Sequence, residues 1–207
     1  MSSKEFFDEV ANDWDEMREQ FFSERVREKA FAVADVQPET VAADIGAGTG
    51  FITEGLARRG VRVVAVDQSE EMLATMKKKF ASFDGIEYRR GEAENLPLHT
   101  GAMDYVFANM YLHHVESPPE AILEMARVLK PLGRLTITDA DEHNFEFLRE
   151  EHHDRWLGFK REDIRSWFEQ AGLKNVTVGD INELCTVDST CGSERASISI
   201  FVASGEK

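Results

Sequence analysis

The 207-residue sequence is short of the features that would place it outside the cell, on nucleic acid or in a membrane. It holds two cysteines, Cys185 and Cys191, and five prolines. Two cysteines cannot form a disulfide framework, which excludes the small stapled folds of the extracellular space. Basic residues are scarce as well: 24 Lys and Arg stand against 39 Asp and Glu, a formal net charge of −15. A surface that negative repels phosphate backbones, so no nucleic-acid partner is expected. The triplet Lys77-Lys78-Lys79 reads as a solvated helix face and does not change that balance. No apolar run approaches the roughly 20 residues that span a bilayer, and the N-terminus turns acidic instead of leading into a signal core. A soluble, cytoplasmic protein with no membrane partner is the expectation.

What is present is enough for a packed core: 42% of the residues are hydrophobic, in a chain of single-domain length (1–207). From Val41 onward, short β-rich runs at 41–46, 61–67, 86–91, 103–110, 134–139, 175–184 and 198–204 alternate with helical patterns. Helices are expected at 50–59, 70–80, 119–129 and 161–171, with a further one after Glu142. Strand–helix alternation implies an α/β fold with a mostly parallel seven-stranded sheet wound on both faces. No helix separates the last two strands, so they should pair as a hairpin that adds one antiparallel strand. Residues 1–36 differ. Phe7, Val10, Trp14 and Met17 form one apolar helical face, and Phe22, Val26, Ala30 and Ala34 continue as a second amphipathic helix. This N-terminal helical cap on a 37–207 core either packs on the sheet or lies as a lid over a ligand crevice.

The most informative segment joins the first strand to its helix: Asp44-Ile45-Gly46-Ala47-Gly48-Thr49-Gly50-Phe51. In an open α/β sheet, ligands bind beyond the carboxyl ends of the strands, and glycines there let backbone approach the ligand. The spacing G-x-G-x-G puts Phe51 where a dinucleotide site favours a third glycine, which argues against a nicotinamide cofactor. Asp67 ends the second strand about 20 residues on, placed to accept from ribose hydroxyls. Asp44 stands either near a ligand ammonium group or as a stabiliser of the turn. Met72 packs on an adenine face or in the core. Glu92, just past the third strand, can accept from an adenine amino group.

With these residues in view, the chain resembles the class I S-adenosylmethionine-dependent methyltransferases, a Rossmann-like family. The resemblance is nearest to the small-molecule branch related to quinone-biosynthesis C-methyltransferases and covers about residues 41–140. It implies S-adenosyl-L-methionine as cofactor, converted to S-adenosyl-L-homocysteine. Contacts are implied from Asp44, Gly46, Ala47, Gly48 and Gly50, from Asp67, Gln68 and Met72, and from Glu92, Ala93 and Asn109. The turn Lys130-Pro131-Leu132-Gly133 departs from the family in having Leu132 where glycine is common. The segments 6–18 and 148–159 resemble the enzyme half of methyltransferases fused to ArsR-type repressors, and the chain is too short for that repressor domain.

A phenolic or carbon-acid acceptor calls for a base, and histidine titrates near neutral pH. His113 and His114 follow the fourth strand; His143, His152 and His153 follow the fifth. His114 and His153 are the leading catalytic candidates. Phe7, Trp14, Arg18, Tyr111, His113 and His152 are expected at the substrate or lid. No H-E-x-x-H or C-x-x-C spacing is present, so no metal is expected, and two thiols fall short of the three a thiophilic metalloid wants. The reading is methyl transfer to a small molecule. Methylation of a protein, an RNA or a metalloid, and a non-catalytic cofactor-binding module, are the alternatives.

Overall fold

The computed structural model describes residues 3–207. Seven strands form one sheet: β1 (Val41–Ile45), β2 (Arg62–Asp67), β3 (Ile86–Arg90), β4 (Met103–Asn109), β5 (Leu129–Ala140), β6 (Lys174–Asp188) and β7 (Arg195–Glu206). Their order is β3-β2-β1-β4-β5-β7-β6. The first five pair in parallel, and β7 runs antiparallel to both β5 and β6. This is the doubly wound α/β sheet with an antiparallel strand that the alternation implies. The order reverses between β1 and β4, and a crevice opens at such a reversal beyond the strand ends.

Both faces are covered, so the central strands are apolar throughout and still sort by period two. Ala43, Ile45, Val106 and Ala108 enter one core, against α6 (Pro118–Val128) and α8 (Arg161–Gln170). Ala42, Val63, Tyr105 and Phe107 enter the other, against α3 (Arg25–Ala34) and α4 (Phe51–Ala57). The helix α5 (Glu70–Lys79) starts at Ser69, whose hydroxyl accepts from the Met72 amide at 3.0 Å. It carries Glu70 and Glu71 in its first turn and the exposed lysine triplet in its last, matching both ends of its dipole. Gly172 ends α8 at a φ of +84°.

Two boundaries differ from the sequence expectation. The first amphipathic helix is two: α1 (Ser3–Val10) and α2 (Trp14–Phe21), separated by a turn over Ala11, Asn12 and Asp13. Asn and Asp favour turns because their side chains compete for backbone bonds, and apolar periodicity does not register that competition. Strand β5 begins at Leu129 and runs through the departing turn, where Leu132 sits at a φ of +68° with 76% of its surface exposed. The short helix after Glu142 is α7 (Phe147–Glu151). Among the described residues, no helix is long and apolar enough to cross a membrane.

Candidate active site

Gly46, Gly48 and Gly50 all lie at positive φ. A side chain at Gly46 would meet the Tyr111 ring, since a Cβ built there falls 2.1 Å from Cγ of Tyr111. At Gly48 the indole of Trp14 comes within 3.4 Å of the same constructed position, so α2 lies directly on the turn. Asp44 takes the turn-stabilising role: its buried carboxylate accepts from the Thr53 amide at 2.9 Å and the Thr53 hydroxyl at 2.6 Å. Burial, aided by the charge of Asp67, pushes the Asp44 carboxyl up to about 7 despite those bonds. Of the two expectations for Asp44, these contacts describe the turn, because the first turn of α4 offers its Oδ2 two donors.

Asp67 closes β2 and accepts from the Gly48 amide at 2.8 Å and the Ser69 amide at 2.9 Å, and burial raises its pKa. The Gln68 amide adds a third bond, so three of the roughly four acceptor sites are taken and one is left for a ligand hydroxyl. Together with Gly46, Ala47, Gly48, Gln68, Met72 and Asn109, Asp67 lines a cleft beyond the strand ends. Met72 is buried in the core and also lines the cleft. Glu92 and Gln68 line an adjoining hollow beyond β3. The backbone of Ala93 is not free: it hydrogen-bonds the buried Tyr111 hydroxyl. Tyr111 therefore bridges the loops after β1 and β3, and burial raises its pKa.

The helices α1 and α2 roof the cleft with Phe7, Trp14 and Arg18, and α3 packs on the sheet. Two acids tie the roof down. Asp8 accepts from the Ser69 hydroxyl at 2.6 Å, and Asp15 accepts from the Thr49 hydroxyl at 2.6 Å and pairs with Lys79 at 2.5 Å. Arg18 reaches into the cleft with its guanidinium 4.4 Å from the Phe51 ring centroid. Its Nε is buried without a hydrogen-bond partner, and burial lowers its pKa.

Behind the cleft lies a second cavity. Phe6, Phe7, Trp14, Phe21 and Phe22 make one wall apolar; His113, His114, His143, His152, Asp154 and Cys185 furnish the rest of its character. Phe7, Trp14, Phe22, Met110 and His114 line both cavities.

The histidines differ sharply. His113 faces Asp139 through Nδ1 at 2.7 Å and Asp154 through Nε2 at 3.7 Å. Burial alone would lower its pKa, but the two carboxylates outweigh burial and carry it up to about 9. His114 is held well below the usual range by burial and by the neighbouring His113. Its Nδ1 faces the carbonyl of His153 at 3.4 Å. Burial brings His143 down to about 4 and lowers His152 too. His153 does not reach either cavity. Its ring packs on Phe6 with centroids 5.2 Å apart, and only its carbonyl meets the histidine pair. The backbone there, at a φ of +58°, turns the ring away and delivers Asp154 instead.

Asp139 and Asp154 face His113, and sequence reasoning did not single them out. Asp139 had a usable signal, an acid near the carboxyl end of a parallel strand; Asp154 had none, because its neighbours come from other segments. Cys185 is buried with its thiol raised to about 12, and Cys191 is exposed in the β6–β7 turn.

Residues 43–137 match the family model of a methyltransferase domain. A demethylmenaquinone methyltransferase of Clavibacter sepedonicus is 38% identical over 108 residues, 52% of this chain and 44% of that protein. The chloroplastic 2-methyl-6-phytyl-1,4-hydroquinone methyltransferase 2 of Oryza sativa subsp. japonica is 31% identical over 159 residues, 75% of this chain and 45% of that protein. The crystal structure of a SAM-dependent methyltransferase from Aquifex aeolicus shares the fold, with a TM-score of 0.65 and 21% identity over 91% of this chain and 92% of that one. The chain spans less than half the length of the curated relatives it matches. Residues 43–137 form a methyltransferase domain of the S-adenosylmethionine-dependent kind, with S-adenosylmethionine as its cofactor.

Proposed function

We propose that this chain transfers a methyl group from S-adenosylmethionine to a small, largely aromatic acceptor seated in the inner cavity. The shared wall carries this reading: Phe7, Trp14, Met110 and His114 line both the cleft at the glycine-rich turn and the cavity behind it. Methyl transfer needs its two reactants aligned at close range with water excluded, and two cavities meeting across one set of side chains satisfy that need.

When bound, the cofactor supplies a methyl on a sulfonium, already activated for displacement. The work left to the protein is holding and covering. Asp67 accepts from the ribose hydroxyls, Glu92 from the adenine amino group, and Met72 covers an adenine face. Gly46 and Gly48 let the backbone lie close to the ligand. Arg18 suits the carboxylate at the other end of the cofactor: its guanidinium is within the cleft, and its Nε is an orphaned buried donor. The roof over the cleft, α1 and α2, acts as a lid.

On the acceptor side the phenylalanine and tryptophan rings hold an apolar body, and His113, His114 and Asp154 receive its polar atom. S-adenosylhomocysteine is expected to raise the melting temperature, since a ligand of the folded state stabilises by mass action. Asp67→Ala should weaken its binding roughly 10–100-fold, the scale of one hydrogen bond to a charged group. Unchanged affinity in that variant removes the ribose assignment. Cofactor turnover with a polar metabolite fraction, and none with an aromatic one, would overturn the acceptor class.

A further inference from the structure

We propose that His113, His114 and Asp154 bind a divalent first-row transition-metal ion at the inner end of the acceptor cavity. The proposal rests on reading that cavity as the acceptor site, and it deepens that reading by giving the polar end a chemistry.

The first argument is distance. One ligand atom from each of the three residues lies within 4.8 Å of the others, and His113 Nε2 stands 3.7 Å from Asp154 Oδ1. Ligands about 2.0–2.2 Å from a common ion stand roughly 3–4 Å apart. The histidine–carboxylate pair is already at that separation, and the longest pair needs to close by less than about 1 Å.

The second argument is what holds the rings. His113 points Nδ1 at Asp139, whose carboxylate is fully buried and anchored by the amides of Leu112 at 2.9 Å and Ala140 at 2.8 Å. His114 points Nδ1 at the His153 carbonyl. A carboxylate or carbonyl on the far nitrogen is how metal-binding imidazoles are oriented, because it fixes the tautomer and leaves Nε2 free to ligate.

The third argument is a buried carboxylate facing the pair. The Asp154 side chain is 10% exposed, and Oδ1 stands 3.7 Å from His113 Nε2, a gap outside hydrogen-bond range that an ion between the two would fill. Among the described residues no hydrogen bond to its carboxylate competes with such an ion. The backbone delivers it there deliberately. His153 occupies the left-handed region, and the amides of Arg155 and Trp156 both donate to the His113 carbonyl at 3.0 Å. The indole of Trp156 adds a bond to the Val115 carbonyl at 3.0 Å, so the loop bearing Asp154 is pinned to the turn bearing both histidines.

Two imidazoles and one carboxylate suit zinc, manganese, iron(II) or cobalt(II), with open positions for an exogenous ligand. Those positions face the cavity, where an oxygen of the acceptor would bind, be oriented and become more acidic. No short metal motif exists in the sequence, because the donors come from two segments about forty residues apart.

The test is metal binding by the tag-free, chelator-stripped chain, with Co²⁺ followed by its ligand-field bands and Zn²⁺ by calorimetry. One ion per chain at micromolar affinity or tighter is expected. Asp154→Asn and His114→Gln should each weaken it at least about tenfold, and Asp139→Asn about 10–100-fold through the His113 ring. Cys185→Ser, in the same cavity but outside the trio, should leave affinity within about threefold. Absence of Co²⁺ bands and Zn²⁺ heat at millimolar metal overturns the proposal. So does a loss in Cys185→Ser equal to that in Asp154→Asn, which would mark a thiolate site. Should the carboxylate variant fail to fold, X-ray absorption of the cobalt-loaded wild type decides, with two imidazoles required and sulfur excluded. The S-adenosylhomocysteine shift of the metal-free protein is read separately, so failure of the cofactor reading is distinguishable from failure of the metal site.

Discussion

The loops after β1, β2 and β3 and the loops after β4 and β5 face one crevice, but they are built by different means. On the cofactor side the chain presents backbone: glycines at positive φ, amides on Asp67, and an aspartate turned inward to brace the helix. On the acceptor side it presents side chains from α1, α2, the turn after β4, the loop after β5 and the far strand β6. A backbone site depends on a few consecutive residues. A side-chain site depends on the whole fold being in place. The first can serve any acceptor; the second carries the choice of acceptor.

The sharpest division of the two sides lies in the histidines. His114→Ala should cut turnover on the acceptor by at least about 10²-fold while S-adenosylhomocysteine affinity changes less than about threefold, a pattern that marks a residue of the chemical step. His153→Ala should keep most of its turnover, because its ring lies outside both cavities. Equal losses in the two variants would erase the distinction. Arg18 tests the boundary from the cofactor side. Arg18→Met should weaken S-adenosylhomocysteine about 10–100-fold yet leave 5′-methylthioadenosine, which lacks the amino-acid portion, nearly unaffected. Parallel weakening of both ligands would assign Arg18 to the roof alone.

Asp44 offers a smaller effect with a definite sign. Its folded pKa, about 7, lies above the ordinary carboxylate value. The folded state therefore binds the proton more tightly, and the stability this contributes is present below the ordinary pKa and lost as pH rises through about 7. Asp44→Asn stays neutral, so melting curves should show it gaining on the wild type between pH 5 and pH 8, an order-of-magnitude window set by that linkage. A difference independent of pH would mean that Asp44 is ionised throughout. The smallest effect belongs to the β5 turn. Leu132 pays for a left-handed backbone with an exposed side chain, and Leu132→Gly should add about 0.5–1 kcal/mol, read as a higher midpoint in urea.

How much was legible follows the same division. The seven strands, the antiparallel hairpin and the places of Gly46, Gly48 and Asp67 in the cleft lie in runs where sequence neighbours are also spatial neighbours. The split between α1 and α2 was hidden because the apolar positions keep helical spacing across the Ala11–Asp13 turn. His153 looked as promising as His114, since proximity in sequence to a strand end does not reveal which way a left-handed residue sends its ring. Asp139 and Asp154 acquire meaning only when β5 and the loop after α7 close on the turn after β4, a contact no local pattern encodes.

The roof has a kinetic consequence. Helix α2 contributes no fully buried residue, and α1 and α2 are fastened to the loops below by Asp8 and Asp15 rather than by a deep core. Segments with so little burial open at a free energy far below that of global unfolding. Phe7 and Trp14 line both cavities, so on the proposed reading of α1 and α2 as a lid one opening of these helices would widen the way for both molecules. An acceptor that fits tightly under those rings would then slow the departure of spent cofactor as well as its own.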